Sequence, residues 1–132
     1  MKDMRVRLSM LWVFAMFNYI YADVMSLMDP NVLKEVMTGS VGGIQITQGF
    51  MLGAAILMET AIAMIILSRI LKYTANRWAN IIFGVVHTAA VFVSMFLGTP
   101  PPHYLFFGII EMACTLLIVY YAWKWPKQES QT

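Results

Sequence analysis

Four stretches of this chain are long and apolar enough to cross a hydrocarbon core of roughly 30 Å, for which about 20 mainly apolar residues suffice. They are Leu8 to Met28, Ile46 to Leu67, Ala79 to Leu97 and Tyr104 to Trp123. Lipid offers the backbone no water, so an open chain must satisfy its own N–H and C=O groups as helix. The spans consume most of the 132 residues and leave no room for a separate soluble domain. The expected fold is an all-α membrane protein, a four-transmembrane-helix antiparallel bundle forming one integral domain over residues 1–132. Composition agrees: 60% of the residues are hydrophobic and 12% charged, against roughly 45–50% and about 25% in soluble domains. No internal repeat relates the first pair of spans to the second.

Charge gives the direction. Lys2, Arg5 and Arg7 precede the first span, Arg69, Lys72 and Arg77 fill the link between the second and third, and Lys124 and Lys127 follow the fourth. The other two links carry only Lys34, so the positive-inside bias predicts both termini and the middle link in the cytoplasm. The net charge of +2 sits in these clusters, which leaves no basic face for nucleic acid. Trp12, Trp78, Trp123 and Trp125 lie near span ends and read as headgroup-level anchors. The first span lacks the small residue expected three positions before a cleavage point at Ile20-Tyr21-Ala22, so it reads as an uncleaved helix and not a signal peptide.

Between the first two spans, Asp29 is placed as an N-cap with Pro30 in the first helical position, and Gly39 is placed to end the turn run. Val32, Leu33, Val36 and Met37 recur at helical spacing, which predicts a short extracytoplasmic helix lying on the membrane surface. The run Gly98-Thr99-Pro100-Pro101-Pro102-His103 is expected to be a stiff, non-helical outer hairpin, because successive prolines remove donors and favour extended backbone.

Each span also carries groups that are unfavourable in hydrocarbon: Asn18 and Asp23 in the first, Glu59 in the second, His87 in the third and Glu111 in the fourth. An ionisable side chain near the bilayer centre costs about 2.5–3.5 kcal/mol on insertion scales, so such residues are expected to face the bundle interior. At about 1.5 Å per residue, Glu59 and His87 fall roughly 12 Å from the cytoplasmic side and Asp23 and Glu111 roughly 20 Å, with Asn18 between. These five form a candidate buried cluster for a ligand or proton, in which Glu59 and His87 are expected to meet as a coupled pair. The hydroxyls of Thr60, Thr88 and Thr115 are placed to join the layers. Gly49 and Gly53 form a small-xxx-small pair suited to close helix packing. The twelve methionines are scattered and read as soft packing, and Cys114 as a small apolar residue. No Glu-x-x-His pair of the di-iron type occurs, and neither a metal nor another cofactor is implied.

Tyr21-Ala22-Asp23 closing the first span, Asn80 and His87 in the third, and Glu111 followed by Tyr121-Ala122-Trp123-Lys124-Trp125 in the fourth resemble a bacterial four-helix membrane family known only as a domain of unknown function. The resemblance covers nearly the whole chain and implies this topology and a bacterial plasma (inner) membrane, with no assigned substrate. In general shape the chain is also similar to DoxX-like proteins. Small multidrug exporters differ, since their first-span carboxylate stands in another motif context and Asp23 lies near the outer end of its span.

Three functions remain open. The polar groups suit an accessory or structural subunit whose helices they hold in register, or a proton-coupled small transporter or permeation unit. They also suit a membrane enzyme acting on a lipid or isoprenoid, with His87 and Glu59 as acid and base and Glu111 stabilising positive charge. Candidate partners are the lipid bilayer, a second copy of the chain, and a lipid or small-molecule ligand.

Overall fold

The computed structural model describes residues 2–41, 43–98 and 100–126; Thr99 and Lys127, used above for topology, lie outside them. Four helices are long and apolar enough to span a membrane: α1 (Lys2–Met28), α3 (Gln48–Ile70), α4 (Tyr73–Ser94) and α5 (Pro102–Trp123). A short α2 (Pro30–Met37) and a two-stranded antiparallel hairpin, β1 (Ser40–Val41) and β2 (Ile44–Gln45), join α1 to α3. The expected all-α fold is the observed one, with some boundaries moved.

The largest shift is at α4, which begins at Tyr73, six residues before the expected Ala79. Arg77 is therefore not in a link. It stands on the first turns of α4, where Nε donates to the Ala122 carbonyl at 3.0 Å and a terminal nitrogen donates to that of Trp123 at 3.2 Å. The last carbonyls of a helix lack its regular donors, although that of Ala122 also accepts from the Trp125 backbone N–H at 3.3 Å, and a cation there complements the helix dipole. Tyr73 adds a hydrogen bond to the Trp125 carbonyl at 2.8 Å. Arg7 lies 4.9 Å over the Tyr121 ring, so both ends of the described chain and the α3–α4 link gather at one end of the bundle.

At the other end the proline run is partly helical, contrary to expectation. Pro102 occupies the first turn of α5, where its missing N–H has no helical partner to lose, and Pro101 is the N-cap. Gly98 takes a φ of 61° in the turn before it, a left-handed conformation that glycine adopts without a Cβ clash. Asp29 caps α2 as expected, accepting from the Asn31 amide, and Gly39 follows the helix with a φ of 88°.

The four long helices form a ring in which α1 packs against α3 and α5, and α4 against α5 and α3. The α3–α4 pair, although only Leu71 and Lys72 join it, is the loosest of the four. The helices α4 and α5 approach closely at Gly84. A Cβ built there would lie 2.6 Å from Cγ2 of Val119 and 3.4 Å from the Thr115 carbonyl oxygen. Gly49 and Gly53, expected to serve close packing, are exposed, and a Cβ built at either meets no other helix among the described residues. The apolar core comprises Leu8, Trp12, Ala15, Ala61, Met64, Cys114 and Ile118 together with their neighbours.

Candidate functional site: a polar core across the bundle

On α4, Asn76, Asn80, Gly84, His87 and Val91 recur every three or four residues and form its buried face. In the ring this face looks across the bundle centre toward α1. Two side-chain networks bridge the gap.

The first is built on Asn80. Its Oδ1 accepts from Trp12 Nε1 at 2.8 Å and from the Ser68 hydroxyl at 3.3 Å. Its Nδ2 donates to the Asn76 carbonyl at 2.9 Å and to Asn76 Oδ1 at 2.7 Å. The Asn76 amide in turn donates to the Ser68 carbonyl at 2.8 Å and to that of Leu71 at 3.3 Å. Trp12, Ser68, Asn76 and Asn80 are all fully buried, and every amide donor and acceptor among them is used. Trp12 is therefore not a headgroup anchor but a bridge from α1 to α4. Trp125 is buried too, edge-on to Tyr73.

The second is built on His87. Its Nδ1 lies 3.1 Å from the Tyr19 hydroxyl and its Nε2 2.9 Å from Thr60 Oγ1. Thr60 has one hydroxyl proton, and that proton points at the Leu57 carbonyl 2.6 Å away. Thr60 must then accept from Nε2–H, which leaves Nδ1 to accept from Tyr19: the network assigns a single tautomer. Trp12 packs edge-on against the imidazole at 5.3 Å between centroids, and Tyr19 stacks on it at 5.7 Å. Below this layer Thr88 and Thr115 bridge α4 and α5 at 2.7 Å, a contact that the close approach at Gly84 permits.

The sequence-derived cluster divides in this geometry. Glu59 does not meet His87. It is exposed, and at 3.6 residues per turn it lies roughly 140–200° around α3 from the buried Ala61, Met64 and Ser68. Thr60, its neighbour, reaches the ring instead. The acid–base pair expected of a membrane enzyme is thus not assembled. Asp23 is exposed as well, so of the three intramembrane carboxylates only Glu111 is buried, at 5% exposure. Its carboxylate forms no hydrogen bond among the described residues and lies within electrostatic range of Asp23, Tyr19, Tyr104 and Cys114. Asn18 is buried but donates to the Phe14 carbonyl of its own helix at 2.9 Å.

Cys114 packs in the core with Sγ 3.0 Å from the Leu11 carbonyl oxygen. Among the described residues no three histidine, cysteine or acidic side chains converge as metal ligands. A surface groove between Val85 on α4 and Leu116 on α5 is almost wholly apolar, and another along Val6 to Phe14 on α1 is mainly apolar but includes Arg7.

Sequence reasoning had missed Trp12, Tyr19, Ser68 and Asn76. Only Asn76 left a clear signal, standing four residues before Asn80 and eleven before His87, on the same helical face. Over residues 2–132 the sequence matches a family described as a family of unknown function (DUF6326). No curated protein and no solved structure matches it.

Proposed function

We propose that this chain, which belongs to the family of unknown function DUF6326, is an accessory or structural subunit of a bacterial plasma membrane whose polar core holds four helices in register. The observation that carries this reading is the closure of the two networks: the His87 ring and the Asn80 amide have their bonding positions occupied by side chains and backbone of the same chain. Groups so occupied act as joints between helices. Interhelical hydrogen bonds in membranes are worth about 0.6 kcal/mol on average and up to about 1.7. The distribution of lysine and arginine supports cytoplasmic termini.

The test is tolerance to substitution. His87→Gln keeps one donor and one acceptor and should leave the purified protein folded with nearly unchanged thermal stability, whereas His87→Leu should lower it clearly. A glutamine variant that folds normally but abolishes a cellular phenotype of the deletion strain would show that the imidazole itself is needed, and would refute the structural role.

Glu111 favours a second reading, a proton or small-ligand site, because a buried carboxyl without a hydrogen-bond partner is costly to keep. In sealed vesicles carrying a pH dye, that reading predicts a proton flux that Glu111→Gln removes. The subunit reading predicts none above the lipid background.

A further inference from the structure

Glu59 lies outside both networks of the polar core. It is the middle residue of α3, with eleven residues on either side, and therefore about 16–17 Å from both ends of the helix at 1.5 Å per residue. No lipid headgroup reaches that depth, and water is scarce there. It is exposed, without a hydrogen bond or ion pair among the described residues. The carboxyl group needs a partner that the single chain does not supply.

The surroundings of Glu59 indicate the shape of that partner. Gly49, Leu52, Ile56, Glu59, Ala63, Ile66 and Ile70 follow one another in alternating steps of three and four along all of α3. That is the spacing by which one helix packs against another at a small left-handed angle. Leu52, Ile56, Ile66 and Ile70 are between 58% and 66% exposed, so this heptad seam faces away from the chain's own bundle. Of the four spans α3 is also the least covered.

We propose that this seam binds the α3 seam of a second copy of the chain, with the two Glu59 carboxyls hydrogen-bonded to each other at the centre. Symmetry selects this occupant. The strong lysine and arginine asymmetry gives every copy the same orientation in the membrane, so a two-fold axis relating two copies runs along the membrane normal. Residues of equal depth then meet across it. Glu59 faces Glu59, and two carboxyls sharing one or two protons satisfy each other where neither has another donor. Gly49 and Ala63 on the seam, with Gly53 beside it, let the backbones approach closely. Apart from Glu59 the paired seam is apolar, so the one polar residue fixes the register.

Cysteine crosslinking in native membranes, on a Cys114→Ala background, tests the seam. Leu52→Cys, Ile56→Cys and Ile66→Cys should each give a disulfide-linked dimer under mild oxidation. Ile62→Cys and Val86→Cys, exposed but off the seam, should not. In detergent, Glu59→Gln should retain the dimer, since the amide still bridges. Glu59→Leu should weaken it about five- to thirtyfold, with the thermal stability of the monomer unchanged because this side chain holds nothing within the chain. Crosslinks without the three-and-four pattern, a dimer indifferent to Glu59→Leu, or a different membrane protein captured at the seam positions would each overturn the proposal. None of these outcomes bears on the role of the polar core, whose substitutions are read separately.

Discussion

Asn80→Leu removes the junction of the first network while keeping a γ-branched side chain at least as large, so its effect does not come from a cavity. Four bonds are lost, and the Trp12 indole N–H, the Ser68 hydroxyl and Asn76 Oδ1 each lose their contact to Asn80 in a fully buried setting. A buried donor stripped of its partner costs about 1–3 kcal/mol, while measured interhelical bonds in membranes reach about 1.7. Taking the lower part of the first range for the indole, and less for the hydroxyl and the amide oxygen, the substitution should cost about 2–4 kcal/mol. Trp12→Phe removes the same indole donor. In the wild-type protein it should be destabilising, but in the Asn80→Leu background it removes an orphan, and its cost should fall by about 1–2 kcal/mol. Reversible unfolding of the four proteins of the cycle in mixed micelles, followed by circular dichroism, measures this difference. If the two substitutions are additive to within about 0.3–0.5 kcal/mol, the usual range for independent sites, the bridge contributes nothing and the register argument fails.

Gly84→Val should separate α4 from α5, because even a Cβ there meets Val119 at 2.6 Å; overpacking of this kind costs about 1–3 kcal/mol, and Val119→Ala should recover part of it in thermal unfolding, whereas Gly53→Ala should leave the monomer unchanged. Arg77→Ala uncovers the carbonyls of Ala122 and Trp123 and should speed amide exchange at the end of α5, measured by mass spectrometry, with little effect near Tyr104. Thr99→Cys on a Cys114→Ala background should react with an impermeant reagent in intact cells; labelling only after permeabilisation would invert the topology. Trp12→Phe should also lose the least exposed indole emission of the protein, so a red shift of the remaining average fluorescence is expected.

The spans were legible because length and hydrophobicity alone decide whether a helix crosses a bilayer, and the start of α2 because Asp29-Pro30 specifies a cap through local chemistry. What could not be read was rotation. Around α3 the apolar residues Ile56, Ile62 and Ile66 resemble those that turn inward, such as Met64, so no moment distinguishes the face carrying Glu59 from the one carrying Thr60. A depth estimate put Glu59 level with His87, and only the azimuth separates them. Trp12 misled for a related reason: its position near Arg7 suits a headgroup ring, and nothing in the linear sequence shows that Asn80, 68 residues later, awaits its N–H. The polar face of α4 was closer to legible, as Asn76, Asn80 and His87 share one helical stripe. The short pairing of Ser40-Val41 with Ile44-Gln45 was not read from the sequence.

The placing of the polar partners along the chain bears on how such a protein is inserted. Membrane helices enter in order as they are synthesised, amino-terminal first. When α4 leaves the ribosome, the groups that receive its asparagines and histidine, on Trp12, Tyr19, Thr60 and Ser68, already stand in the membrane. This span, with its buried asparagines and histidine, thus arrives at a ready-made docking surface and never has to rest alone in lipid. The last helix, α5, then has two neighbours waiting, α1 and α4, and its arrival closes the ring. A chain truncated after α4 would expose the faces of α1 and α4 that α5 covers, leaving a recognisable substrate for membrane quality control.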